Sequence, residues 1–258
     1  MINKKILGLA GLASLGLATA PLAVVHADDV STTSNATITF SEDDTFKSVL
    51  DPTNPNGGQN SVQPTEQDGD TTHSNGTSGP LTIDFASSLN FGNHKISTLK
   101  QEYSAFTQKY RDNNNNKQEG PNFVQVTDSR SGSGQGWGLT VSQGNFQATN
   151  PDDETKPYIL KGAQIHLKNG TYVSGNEATF NNSLTQDNVH SDAILGGAEQ
   201  ELMHADKGTG RGTSLYTMDT KENAAESVTL EAPAGAEKVK DVNYSATLTW
   251  KLYDAPSE

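Results

Sequence analysis

The sequence contains no cysteine. This absence excludes a disulfide-bonded scaffold and every metal site with a thiolate ligand, so the fold has to be stabilised by buried apolar surface. Positive charge is also scarce, because 18 Lys and Arg residues stand against 31 Asp and Glu residues and give a formal net charge of −13. Nucleic acids and anionic lipids are therefore not expected as electrostatically bound partners.

Long apolar runs are missing after the first 27 residues, MINKKILGLAGLASLGLATAPLAVVHA. Lys4 and Lys5, the apolar run and the small residue Ala27 at its end together predict a secretory signal peptide over residues 1–27. A membrane anchor is the alternative, but Pro21 interrupts the run. The mature chain is expected to be secreted and to contain no membrane span.

Two segments precede the main body of the chain. Residues 28–50 include ATITF at 36–40, whose alternation of apolar and polar residues predicts a first strand of the domain. Residues 51–79 are rich in Pro, Gly and Asn and offer little apolar surface. This composition predicts a disordered linker or loop.

Short strand-like segments recur between turn residues over 80–258, among them LTIDF, FVQVTD, WGLTV and SVTLEAP. Such spacing is typical of all-β proteins and not of alternating strands and helices. We therefore predict an all-β fold, an antiparallel β-sandwich-like single domain with long polar loops. One short helix remains an alternative in part of it, because four apolar residues recur at helical spacing: Leu99, Tyr103, Phe106 and Tyr110.

The clearest strand lies near the end of the sequence, in VNYSATLTWKLYD. Its apolar residues alternate with polar ones, which places Trp250 and Leu252 on one apolar face. By the same period, Trp137 and Leu139 share a face of an earlier strand, and we predict that the two strands lie near each other. Each Trp is either a core anchor or a rim residue whose indole stacks on a sugar ring.

Asp128 and Arg130 lie just before the first of these strands. Being two residues apart, they share a face if the strand continues, and they could then grip a polar part of a ligand, with the Arg binding a carboxylate. The alternative is a strand-end turn that a side-chain hydrogen bond closes.

No catalytic motif is present. The glycines of GSGQGWG lack the spacing of a dinucleotide-binding loop, and neither a P-loop nor a nucleophile elbow occurs. His190 with Asp192 and His204 with Asp206 form H-x-D pairs, but spacing identifies no third ligand. We therefore predict no enzyme, no cofactor and no metal site.

Four longer segments follow one another along the chain: GPLTIDFASSLNFGNHKIS, PNFVQVTDSRSGSGQGWGLTV, LKGAQIHL and VNYSATLTWKLYDAPSE. In this ordered set the chain resembles the WxL domain family of cell-surface proteins from Gram-positive bacteria. The resemblance makes Trp137 with Leu139 and Trp250 with Leu252 the two motif pairs. It implies a β-rich domain over 80–258 that attaches non-covalently to the peptidoglycan of the cell wall, and it implies partner surface proteins as candidates for assembly.

Two functional classes follow from these observations. The favoured class is a non-catalytic, secreted domain that holds itself on peptidoglycan at the cell wall or cell surface. The alternative is a structural or adhesive component whose main ligand is a partner surface protein or a host matrix protein, contacted through strand edges and acidic loops.

Overall fold

The computed structural model describes residues 32–69, 71, 76–132, 134–178, 180–182, 184–220 and 222–254. The predicted signal peptide over 1–27 lies outside these residues. The described chain forms two units, 32–40 and 41–254, which are treated separately. None of the helices in the described part of the chain has the length and apolar character of a membrane span.

The described residues form sixteen strands and three short 3-10 helices. The strands are β1 (Gln63–Thr65), β2 (Leu81–Ala86), β3 (Gln101–Ser104), β4 (Gln108–Arg111), β5 (Lys117–Gly120), β6 (Phe123–Asp128), β7 (Trp137–Gln143), β8 (Gln147–Ala148), β9 (Tyr158–Ile159), β10 (Gln164–Leu167), β11 (Gly170–Ser174), β12 (Ala193–Ile194), β13 (Gln200–Ala205), β14 (Gly212–Met218), β15 (Val228–Ala232) and β16 (Leu248–Asp254). The 3-10 helices are Asn56–Gly58, Gln186–Asn188 and Ala224–Glu226.

The strands pair in five sheets, and every pair is antiparallel. Their strand orders are β1-β4-β5, β12-β10-β15-β3, β11-β14-β6-β2, β13-β7-β16 and β8-β9. This confirms the all-β antiparallel prediction. The sheet β13-β7-β16 contains both tryptophans of the chain and is called the Trp sheet below.

Side chains from three sheets meet in one large apolar core. It includes Val124, Val126, Trp137, Leu139, Val141, Ile165, Leu167, Leu202, Met203, Tyr216, Met218 and Val228. All of these are almost completely excluded from solvent. Because the chain has no disulfide, burial of this surface, worth about 25 cal/mol per Å², is the main source of its stability.

Strand β6 is buried on both faces. Val126 faces the large core, whereas Phe123 packs with Phe85 and Leu215 in a second, small core. Gln125 is also buried on this strand, where its Oε1 accepts a hydrogen bond of 2.8 Å from the backbone N–H of Leu50. The segment that precedes β1 is therefore bound to the sheet through a side-chain amide.

The structure corrects two expectations for the N-terminal part. Residues 36–40 form no strand. Residues 51–79 are not a disordered linker in their described part, because β1 pairs there with β4 and Thr65 is buried. Composition and alternation describe the residues themselves, but a strand also needs a partner for its backbone hydrogen bonds, and neither pattern reveals that partner.

The helical alternative over residues 99–110 is also wrong. This segment forms β3 and β4, which pair with β15 and with β1 and β5. Leu99 and Phe106 are exposed by 69% and 51%, whereas Tyr110 is buried, so the four apolar residues do not share one face. Strand pairing with distant parts of the chain here overrides a local helical period.

Candidate functional site

The two Trp-x-Leu pairs lie side by side on one face of the Trp sheet. Strands β7 and β16 are direct neighbours, and Leu252 stands opposite Leu139 in their register. Trp250 stands opposite Val141, and the end of β16 reaches Trp137. Because residues two apart share a face, both pairs point into the large core. The prediction that the two strands lie near each other is confirmed.

The first of the two tryptophans is completely enclosed. Trp137 has no exposed surface, and its indole N–H donates a 3.0 Å hydrogen bond to the carbonyl oxygen of Gly210. Leu139 is equally buried. Trp137 and Leu139 are therefore core anchors, and the first motif pair offers no surface to a ligand.

Gly210 packs directly against the buried indole of Trp137. It has a φ of 80°, and a Cβ at this position would lie 2.7 Å from Trp137 Nε1 and still closer to Ala205. Both the positive φ and the lack of space require glycine here. Gly210 belongs to the sequence GTGRGTS, and its carbonyl oxygen is the hydrogen-bond acceptor of the first tryptophan.

A second glycine loop packs against the first. Gly132, Gly134 and Gly136 all have positive φ, and the backbone N–H of Gly208 donates a 3.1 Å hydrogen bond to Gly134 O. A Cβ on Gly134 would come within 2.8 Å of Thr209 O. These glycines belong to the segment that leads the chain into β7.

The second tryptophan reaches the surface. Trp250 and Leu252 pack against the large core but remain partly exposed, because β16 is at the end of the strand order of the Trp sheet. Leu248 has the same partly exposed position on this strand. These three residues, Leu248, Trp250 and Leu252, are called the apolar strip below.

Asp128 and Arg130 form a buried ion pair at the end of β6. Arg130 Nε and Nη2 lie 2.9 and 2.8 Å from the two carboxylate oxygens of Asp128. The hydrogen bond to Asp128 raises the pKa of Arg130. The backbone N–H of Arg130 also donates a 3.0 Å hydrogen bond to Asp128 Oδ1. The turn interpretation of this pair therefore matches the structure.

The remaining donors of Arg130 tie three segments together. Nη2 donates a 2.7 Å hydrogen bond to Gly136 O in the loop before β7, and Nη1 contacts the carboxylate of Asp254 at the end of β16. The guanidinium is thus occupied by internal partners. The prediction that Arg130 grips a ligand carboxylate is not supported by this geometry, since the side chain fixes the entry of β7 against the end of β16.

The outer face of the Trp sheet is polar. Thr140 on β7 donates a 2.5 Å hydrogen bond to Glu199, and Lys251 on β16 forms an ion pair with the same carboxylate. Lys251 lowers the pKa of Glu199. The Tyr253 hydroxyl donates a 3.1 Å hydrogen bond to Glu201 Oε2. These contacts join β16 to β13 across the central strand.

Two histidines converge on the same part of this face. His190 and His204 both lie close to Glu201, and neither was predicted to share a site with it. The H-x-D pairs of the sequence are not the relevant groups, because Asp192 instead accepts a hydrogen bond from the backbone N–H of Asn169. His190, Glu201 and His204 are the one group of three potential ligand side chains (His, Cys, Asp or Glu) among the described residues whose ligand atoms are close enough to share a metal ion.

Comparison with known proteins identifies the family. The family model described as "WxL domain surface cell wall-binding" matches residues 27–256. No curated protein and no solved structure gives a match to the chain. The match covers nearly the whole sequence and includes both Trp-x-Leu pairs and the strands that carry them. The chain therefore belongs to the WxL domain family of surface cell wall-binding domains.

Proposed function

We propose that the chain is a secreted, non-catalytic protein that attaches non-covalently to the peptidoglycan of a Gram-positive cell wall. The description of its family as surface cell wall-binding supports attachment to the wall. The net charge of −13 disfavours polyanionic wall polymers and favours a ligand bound by short-range contacts. The sugar strands of peptidoglycan can be bound in this way.

The observation that carries this proposal is the difference between the two tryptophans. Trp137 is closed inside the core, whereas Trp250 is partly exposed in the apolar strip. A flat indole fixed on a strand presents apolar area at a small cost in conformational entropy, as aromatic residues do at other binding surfaces. We therefore assign the sugar contact to Trp250 and a supporting role to Trp137.

The neighbouring residues extend this surface. Leu248 and Leu252 lie two residues before and after Trp250 on the same face of β16, and both are partly exposed. The strip runs along the end strand of the sheet and lies close to β2. An elongated polymer can contact such a strip at several points.

Co-sedimentation with protein-free peptidoglycan sacculi tests the proposal. The mature chain should pellet with sacculi, and Trp250→Ala should weaken binding by at least about tenfold if the indole is a main contact. Trp137→Phe is the matched control, because it removes the other indole from a position that no ligand can reach. This control is expected to lower stability and to keep the affinity.

Each variant is first checked for folding by near-UV circular dichroism and thermal melting. Folded Trp250→Ala that binds as tightly as wild type would remove Trp250 from the binding surface. Absence of wild-type binding to sacculi would contradict the proposal itself and would favour the alternative ligand, a partner surface protein or a host matrix protein.

A further inference from the structure

His190, Glu201 and His204 form a compact group on the outer face of the Trp sheet. Glu201 Oε1 lies 3.4 Å from His190 Nε2 and 3.2 Å from His204 Nδ1. The three potential ligand atoms all lie within 4.8 Å of one another. The group lies on the opposite face from Trp250, so it is separate from the apolar strip.

A β-bulge brings two of these residues together. Glu201 and His204 are three apart and would face opposite sides of a regular strand. The pairing of β13 with β7 shifts between Glu201 and Met203, so Glu201 stands opposite Thr140 and His204 opposite Gly138. Since bulges often re-aim side chains near functional sites, this arrangement is consistent with a built site.

Backbone contacts hold the third residue in place. The N–H of His190 donates a 2.9 Å hydrogen bond to Leu202 O on β13. The carbonyl oxygen of His190 accepts a 3.1 Å hydrogen bond from the buried Tyr216 hydroxyl. These two hydrogen bonds fix the backbone of His190, from which the imidazole reaches Glu201.

We propose that His190, Glu201 and His204 bind a divalent first-row transition metal ion, with zinc as the best match. Two imidazole nitrogens and one carboxylate oxygen are ligands that zinc accepts. In a tetrahedral zinc site with bonds of about 2.0–2.1 Å, ligand atoms lie about 3.3 Å apart. The two distances to Glu201 Oε1 agree with this spacing. A fourth position stays open toward solvent, because the His190 side chain is 55% exposed.

The convergence of two imidazoles on one carboxylate oxygen favours a metal ion over a simple ion pair. His204 Nδ1 is enclosed and makes no hydrogen bond, although it lies 3.2 Å from the carboxylate. Both imidazoles also approach the same oxygen of Glu201. A cation between the three groups would accept a lone pair from each of them.

Tyr253 binds the second carboxylate oxygen of Glu201. Its hydroxyl donates to Glu201 Oε2, which leaves Oε1 for the metal ion. Ligands in metal sites are commonly oriented by such hydrogen bonds. Gly138 makes room for this tyrosine, since a Cβ there would lie 2.5 Å from the ring carbon Cζ. The site is thereby connected to β16, the strand that carries Trp250.

Isothermal titration with zinc chloride tests the site in untagged mature chain that has first been treated with a chelator and dialysed. We expect binding of one zinc ion per chain and an upward shift of the melting temperature, because the ion binds the folded state. His190→Gln should weaken the binding by at least about tenfold, as loss of even a supporting residue commonly does. His204→Gln should have the same effect.

His166→Gln is the matched control. His166 Nε2 lies 3.4 Å from Glu231 Oε2, so the two residues form a His–Glu pair like those at the site. Among the described residues, no second histidine joins this pair in a group that could share a metal ion. This variant should bind zinc as wild type does. The proposal is overturned if wild type does not bind zinc, if folded His190→Gln binds as tightly as wild type, or if the control loses binding equally. His190 is exposed enough that its variant is expected to fold even if His204→Gln does not.

Discussion

Replacing Gly210 with alanine should destabilise the chain more than the same change at Gly208. Both glycines belong to the loop GTGRG and have similar positive φ values, 80° and 91°. Alanine in this left-handed conformation costs about 1–2 kcal/mol at either position. At Gly208 nothing lies within 4 Å of the added Cβ, so this cost should be the whole effect.

At Gly210 the added methyl group also meets the indole. Its Cβ would lie 2.7 Å from Trp137 Nε1 and still closer to Ala205 Cβ, and both of these side chains are buried. Overpacking of this kind costs about 1–3 kcal/mol, so the total loss for Gly210→Ala should be about 2–5 kcal/mol. The shift of the indole would also strain its hydrogen bond to Gly210 O.

Urea unfolding followed by tryptophan fluorescence measures both losses. The account requires a clearly lower free energy of unfolding for Gly210→Ala than for Gly208→Ala, at equal denaturant dependence. Equal losses of the free energy of unfolding for the two variants would refute the conclusion that Gly210 packs tightly against Trp137, because backbone strain alone would then explain both.

Three further predictions concern stability. Arg130→Ala should lower the free energy of unfolding by about 3–5 kcal/mol, because it leaves the buried carboxylate of Asp128 unpaired. Asp254→Ala changes a side chain that is 68% exposed and should lower the free energy of unfolding by less than about 1 kcal/mol. Equal losses for the two variants in urea titrations would contradict this. Burial raises the pKa of Asp84, so the folded state holds its proton more tightly than the unfolded state, and stability should fall as pH rises from about 3.8 through the raised folded pKa. Asp84→Asn should lack this fall. Thermal melting of wild type and of the variant across pH measures the difference, and the same pH profile for both would contradict the reasoning. Gly138→Ala should displace Tyr253 from the outer face and cost about 1–3 kcal/mol, with unaltered melting as the contrary result.

The alternation of apolar and polar residues predicted what depends on a local period. It identified β16 and the shared faces of Trp137 with Leu139 and of Trp250 with Leu252, because side chains alternate along any strand. The order of the motifs indicated the family, and the recurrence of short strand-like segments between turn residues indicated the all-β class. The exposure of each tryptophan could not be predicted, since it depends on whether its strand lies in the middle or at the end of the sheet.

Features that depend on distant pairing were missed. β1 forms only because it pairs with β4, more than forty residues later in the sequence. Glu201 and His204 share a face only because a bulge interrupts the regular period, and His190 joins them through a backbone contact to β13. The role of Gly210 as a hydrogen-bond acceptor for Trp137 likewise joins residues far apart in the chain. No spacing rule along one sequence encodes such contacts.

Intrinsic fluorescence provides the most direct test of the central claim, because the chain has only two tryptophans. Trp137→Phe leaves Trp250 as the sole reporter, and Trp250→Phe leaves Trp137. Soluble muropeptides from digested peptidoglycan should shift the emission of the first variant toward the blue in a saturable way and leave that of the second unchanged. A shift confined to the variant that retains Trp137, or no shift in either folded variant at concentrations that saturate binding to sacculi, would contradict the assignment of the wall contact to Trp250.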